Sequence, residues 1–320
     1  MQNPPEFSIA SKTFSGKALL ILSLWLAGAL VTPSPLRAAT ITYTGLAAGN
    51  FSRDWNNRTN WSSAAVPTAA DDVTINSGVV ILPPTAAFAS LTVAGATVKG
   101  EFTNRGTIKW TSGTIGGQVT IAAGGVLELI GPDQKNLEEC AIDNAGTIRW
   151  GGAGGLQSST TVVINNQAGG VFEALNDASL QHFSQSVPAV FNNAGVFRKS
   201  VGTNVTLIQN VAFNNSGKVE IQSGTLSFPN GFANRGTFDV AAGAKLDLAG
   251  GKVALQTGST ISGDGFYGVT GKVDVDGGIN SPNFQLTGTL DGSNSLTGRR
   301  VWTTGTIKSK LTIAAGGVLE

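Results

Sequence analysis

The chain has 320 residues, of which 13% are charged, with a formal net charge of +1, 43 glycines, one cysteine and one histidine. Near-neutral charge without a basic stripe argues against nucleic acid or anionic lipid as a partner, and a single cysteine, Cys140, rules out an internal disulfide framework. Val, Ile, Leu and Phe recur among many Gly, Asn, Ser and Thr residues, which excludes a disordered chain and suits an all-β protein with many tight turns.

Lys12 and Lys17 precede the apolar run "ALLILSLWLAGALV" at 18–31, and small residues follow at Ala38 and Ala39. A basic flank, a short apolar stretch and small residues read as a secretory signal peptide over residues 1–39. The run falls short of the roughly 20 apolar residues of a membrane span. Its removal takes with it Lys12, Lys17 and Arg37 against Glu6, so the formal charge passes from +1 to −1. Residues 40–98 hold Trp55, Trp61 and the pair Asp71-Asp72 before "VTI". They read as an N-terminal cap with the first coils of a repeating structure, whose open edge needs cover.

Residues 99–320 carry the repeats. "FTNRGTIKW" begins at Phe102, "IDNAGTIRW" at Ile142, "FNNAGVFRK" at Phe191, "FNNSGKVEI" at Phe213 and "FANRGTFDV" at Phe232. The shared frame sets Asn104 and Gly106, Asn144 and Gly146, Asn193 and Gly195, Asn215 and Gly217, and Asn234 and Gly236 at structural corners. Asn tolerates left-handed backbone and Gly supplies positive φ, so the expectation is a sharp bend between two short strands. A variant, "INNQAGGVFE", begins at Ile164. Beyond each corner the apolar residues alternate, as Val219, Ile221, Leu226 and Phe228 do, which predicts strands with one buried face.

The corners lie 40, 49, 22 and 19 residues apart, and the variant splits the 49 into 22 and 27. A coil of about 20 residues with double steps and insertions accounts for this, giving on the order of ten coils stacked about 4.8 Å apart. "VTIAAGGVLEL" at 119–129 matches "FDVAAGAKLDL" at 238–248, which predicts a second equivalent strand–turn–strand unit. A longer repeat is also present: residues 110–128 and 302–320 agree at 14 of 19 positions. The long repeat therefore spans 110–301, and a further copy starts at 302. Breaking off in mid-strand at Glu320, the chain reads as a fragment of a longer protein.

These phrases, with "NWSSAAVPTAADDVTI" near the start, resemble large repetitive bacterial proteins that are secreted or surface-exposed, of the autotransporter or adhesin type. The resemblance covers roughly residues 50–320. It implies a right-handed parallel β-helix, an all-β β-solenoid of short strands. Its motifs are architectural and say little about activity.

The Asp71-Asp72 pair is expected to close a turn, because adjacent strand residues point to opposite faces. Asp274 and Asp276 share one strand face and are weak candidates for a metal site, though Ca²⁺ takes six to eight oxygens. His182 has no second histidine beside it and is expected on a loop inserted between coils. Cys140 follows two glutamates and reads as a small buried residue. Trp110, Trp150 and Trp302 end related strands, where packing at the coil edge is weighed above stacking on sugars. No catalytic residue and no cofactor are expected. The reading is a secreted or cell-surface structural and adhesive repeat protein, acting by extended surface presentation. Glycans or extracellular surfaces are its expected partners, and it meets a membrane only through an anchor outside this sequence. The alternative is a carbohydrate-binding or carbohydrate-active β-helix, with carboxylates converging from among Asp177, Asp264, Asp274 and Asp276.

Overall fold

Strand Val162–Asn166 lies between Lys135–Asn144 and Ala189–Asn193 and pairs in parallel with both, at intervals of one coil. The same holds on a second face, where Val171–Ala174 lies between Thr147–Trp150 and Val196–Lys199. On a third, Ser179–His182 lies between Leu156–Ser158 and Val205–Gln209. Three faces per coil and about 11 coils make a parallel β-helix. A computed structural model describes residues 39–320, apart from 48, 280–282, 301, 303 and 309. The segment read as a signal peptide lies outside the described residues except for Ala39. No helix among them is long and apolar enough to cross a membrane.

Alternation sends every second side chain inward. In Val162–Asn166 the buried residues are Val162, Ile164 and Asn166, while Val163 and Asn165 face outward. Because the coils stack in register, like sits on like. Ile142, Ile164, Phe191 and Phe213 form one buried column, and Ile148, Phe172, Phe197, Val219 and Phe238 form another. Phe172 and Phe197 stack with ring centroids 5.3 Å apart, and Phe191 and Phe213 at 5.2 Å. Each such side chain contributes roughly 1.5–3 kcal/mol by burial. At the amino-terminal end, Trp61 meets Trp55 edge to face at 4.8 Å and donates its indole N–H to the Trp55 carbonyl. Strand Ser90–Asn104 runs without a break across residues 98 and 99.

The corners are of two kinds, with different physics. Asn144, Asn193, Asn215 and Asn234 each end a strand with the side chain buried. Neither these asparagines nor the glycines two residues later have positive φ, contrary to the expectation from sequence. The glycine is needed for space. A Cβ on Gly217 would stand 2.2 Å from the Gly195 carbonyl oxygen of the preceding coil, and one on Gly236 would stand 2.0 Å from that of Gly217. The second corner is a four-residue turn closed by a backbone bond, Gly125 to Ala122 or Ala244 to Ala241. Here the third residue does take positive φ, +84° at Gly124 and +80° at Gly243, as such turns require.

This second kind corrects one equivalence. Residues 119–129 and 238–248 match in sequence, yet they turn different corners. Val126–Leu129 stacks under Thr147–Trp150 on the second face, whereas Lys245–Asp247 stacks on Thr225–Ser227 on the third. A local turn motif fits any corner of suitable width, so its recurrence does not report position in the coil.

The long repeat is reproduced in pairing register. Thr97↔Thr114, Asn104↔Ile121 and Thr107↔Val126 recur 192 residues later as Thr289↔Thr306, Leu296↔Ile313 and Arg299↔Val318. The recurrence begins by residue 289, upstream of the copy start read at Trp302, in a stretch where few residue identities survive.

Candidate functional site: the lateral faces of the coil stack

Stacked coils place outward residues in columns, and two columns are polar throughout their middle. The first runs Asp143, Asn165, Asn192, Asn214. Each asparagine donates its amide to the preceding coil: Asn165 to Asp143 at 2.8 Å, Asn192 to Asn165 at 2.9 Å, and Asn214 to Asn192 at 2.9 Å. Ala233 and Ala254 then continue the column. With two side chains shortened to methyl groups, two shallow clefts flank Ala233: one of about 260 Å³ bordered by Arg235 and Gln256, and one of about 410 Å³ bordered by Lys252 and Ala254.

The second column alternates in charge: Glu128, Arg149, Glu173, Arg198, Glu220. Arg198 reaches Glu220 at 2.6 Å and Glu173 at 3.7 Å, and Lys218 bridges Glu220 at 2.9 Å and Asp239 at 3.3 Å. The hydrogen bond to Glu220 raises the Arg198 guanidinium further above its ordinary value. Burial works to raise the Glu220 carboxyl, but hydrogen bonds from Arg198 and Lys218 outweigh it and hold the group below the usual carboxylate range.

Behind the outer amides lies an inner asparagine ladder that motif reading did not reveal. Asn144 donates to Asn166, Asn166 to Asn193 and Asn193 to Asn215, each at 2.7 Å, and Asn215 donates to Asn234 at 2.8 Å. The second amide hydrogen of Asn144, Asn166, Asn193 and Asn215 goes to a backbone carbonyl, as from Asn193 to Lys218 at 3.0 Å. All five side chains are buried. Ile121 and Leu255 take the ladder position beyond its ends. This places a coil inside the 40-residue gap between Asn104 and Asn144, where no asparagine marks it. Asn234 Nδ2 is left without a partner, because Leu255 follows it.

The remaining candidates each have a place. Asp276 bonds Lys252 Nζ at 3.0 Å and accepts the Ser293 N–H at 3.2 Å. The Lys252 contact holds its carboxyl below the usual range. Asp274 and Asp276 share strand Phe266–Ile279, and Lys252 lies on the strand paired beside it, opposite Asp274. Among the described residues no three His, Cys, Asp or Glu side chains gather to hold an ion. Asp177 binds Lys199 at 2.8 Å, and Asp264 lies in the turn before Phe266–Ile279. Asp71 accepts from Thr68 and Asp72 from Ser90, so the pair sets a turn and a strand start.

His182 is not on a loop. It ends strand Ser179–His182, buried, with Nε2 at 2.8 Å from the Val187 carbonyl. Pairing opposite Ser158 turns it inward, and the inserted loop begins one residue later. Burial pushes the Cys140 thiol up to about 12, which keeps it protonated and unreactive. Trp110 and Trp150 are fully buried, whereas Trp302 is exposed. Lys199 occupies the position of Ala174 and Ile221 in an apolar column. Its ammonium is satisfied by the Asn176 and Val201 carbonyls and by Asp177.

No family model, curated protein or solved structure matches this chain.

Proposed function

We propose that this chain is a structural and adhesive β-helix, secreted or held at a cell surface, which acts by presenting repeated shallow contacts and carries out no catalytic step. The observation that carries this reading is the recurrence of the same strand register at an offset of 192 residues. Such recurrence repeats one strand arrangement along the chain, and repetition of weak contacts raises avidity without a deep pocket. The lateral columns support it as well. Their amides and charges bond from coil to coil, which stiffens a surface made for contact.

Protease shaving of intact source cells, followed by mass spectrometry of the released peptides, tests the location. Beads coated with the chain at increasing density, flowed over glycan- or matrix-coated surfaces, test the action. Peptides from residues 99–320 and retention that climbs more steeply than density are the expected results. A chain confined to the cytoplasm, or beads that never adhere, would overturn the reading.

A further inference from the structure

The coil from Asn166 to Asn193 takes 27 residues, whereas the coils on either side take 22. Most of the extra length lies between strands Ser179–His182 and Ala189–Asn193, a six-residue connection at 183–188, and the rest in the four-residue corner at 167–170. The corresponding connections after Leu156–Ser158 and Val205–Gln209 have three and two residues. This loop is tied down on several sides. Phe183 N–H donates to the Ser158 carbonyl at 2.8 Å, the Val187 carbonyl meets the His182 ring at 2.8 Å, and Ser184 Oγ accepts the Ser186 N–H at 3.1 Å. Yet the side chain it presents, Phe183, is 53% exposed.

Phe183 borders a shallow cleft of about 270 Å³ with Thr114, Asn136, Gln157, Ser159 and Thr160. Thr114, Asn136, Gln157 and Gln181 form one outward column in register across four coils. Gln157 donates to Asn136 at 2.7 Å, which orients both amides and leaves Asn136 Nδ2 and Gln157 Oε1 for a ligand. A second cleft adjoins it through Gln157, with Gln134, Ser179 and Gln181 on its walls. Among the described residues Glu138 is the sole ionisable one bordering either cleft, and Lys99 pairs with it at 3.0 Å.

We propose that this face binds a neutral oligosaccharide. Phe183 supplies an apolar ring face for the C–H side of one sugar, and the amides of Asn136, Gln157 and Gln181 exchange hydrogen bonds with its hydroxyls. Among the described residues the cleft has no unpaired cation to favour phosphate, sulfate or uronate. The strand edges beneath it are paired on both sides, so no peptide can add to the sheet there. A bonded loop and a bonded amide pair reduce the ordering cost of binding. The inference rests on the surface-presentation reading, for which it names one contact and its ligand class.

The test is calorimetric titration of the full chain with cellohexaose, mannohexaose and maltohexaose, and with a galacturonan hexasaccharide of equal length. The parent protein is compared with Phe183→Ala, Phe183→Trp and Gln157→Ala, each checked by circular dichroism. Expected is binding of at least one neutral hexaose, weakened about tenfold by F183A and Q157A and retained by F183W, a factor that corresponds to ~1.4 kcal/mol. Equal binding by parent and F183A, no neutral binding at millimolar sugar, or a preference for the galacturonan would each overturn the proposal. The bead assay on the same variants separates the two readings. Adhesion that survives F183A would leave surface presentation standing and remove this cleft from it.

Discussion

Asn193 Nδ2 donates to Asn215 Oδ1 at 2.7 Å across the gap between two successive coils, with both side chains buried. Asn193 also accepts from Asn166 and donates to the Lys218 carbonyl. Replacing it with alanine strands a buried donor and a buried acceptor together. Asn193→Ala should therefore cost about 3 kcal/mol. Asn234→Ala should cost less, since Asn234 Nδ2 already lacks a partner. Urea unfolding of the two variants measures the difference, and equal losses would count against a cooperative ladder.

The two corners predict losses of different size from the same substitution. At Gly217 a methyl group meets a backbone carbonyl at 2.2 Å, while at Gly124 it meets open space and only the positive φ is strained. Gly217→Ala should lose about 3 kcal/mol or fail to fold, and Gly124→Ala about 1 kcal/mol. Thermal melts of both variants give the order directly, and the reverse order would refute a steric role for the Asn-x-Gly glycine.

Acid should loosen the charge column. The folded state holds Glu220, Asp177 and Asp276 below their ordinary values. The unfolded chain therefore binds more protons than the folded one in that range, so stability rises with pH through it. Their contribution is complete above the ordinary carboxylate range near pH ~4 and is lost as pH falls through the lowered folded values. Melting temperature recorded against pH should drop on this acid limb, and Glu220→Gln should flatten the slope. An unchanged slope in that variant would assign the acid sensitivity elsewhere.

Lys199 makes a separate case, because its buried ammonium ties residues 176–177 to Val201. Lys199→Ala should cost about 3 kcal/mol through lost packing and lost bonds. Lys199→Met keeps the stem and should cost less, while still releasing the segment 200–204. Limited proteolysis with peptide mapping should show faster cleavage there in both variants. Cleavage at the parent rate would mean that the ammonium does not hold that loop.

Much of the scaffold was legible in the residues themselves. Alternation in Val219, Ile221, Leu226 and Phe228 marked short strands, and the recurring Asn-x-Gly frame marked where they bend. Both are local signals, carried within about ten residues of chain, so neither needs a partner to be read. The role of the corner was misjudged for a related reason. Asn and Gly suit left-handed backbone in isolation, but here the asparagine serves the next coil and the glycine makes room for the previous one.

The sequence by itself determined the class of architecture, the corner positions and the scarcity of titratable groups. Only the tertiary structure decided who stacks on whom. The ladder position steps from Asn104 to Ile121, Asn144, Asn166, Asn193, Asn215 and Asn234 at unequal intervals. Loops of different length separate successive coils, so register cannot be counted along the chain. Backbone pairing sets it instead, and that pairing buried Lys199, alternated Glu173 with Arg198 and Glu220, and brought Phe183 beside Asn136 and Gln157.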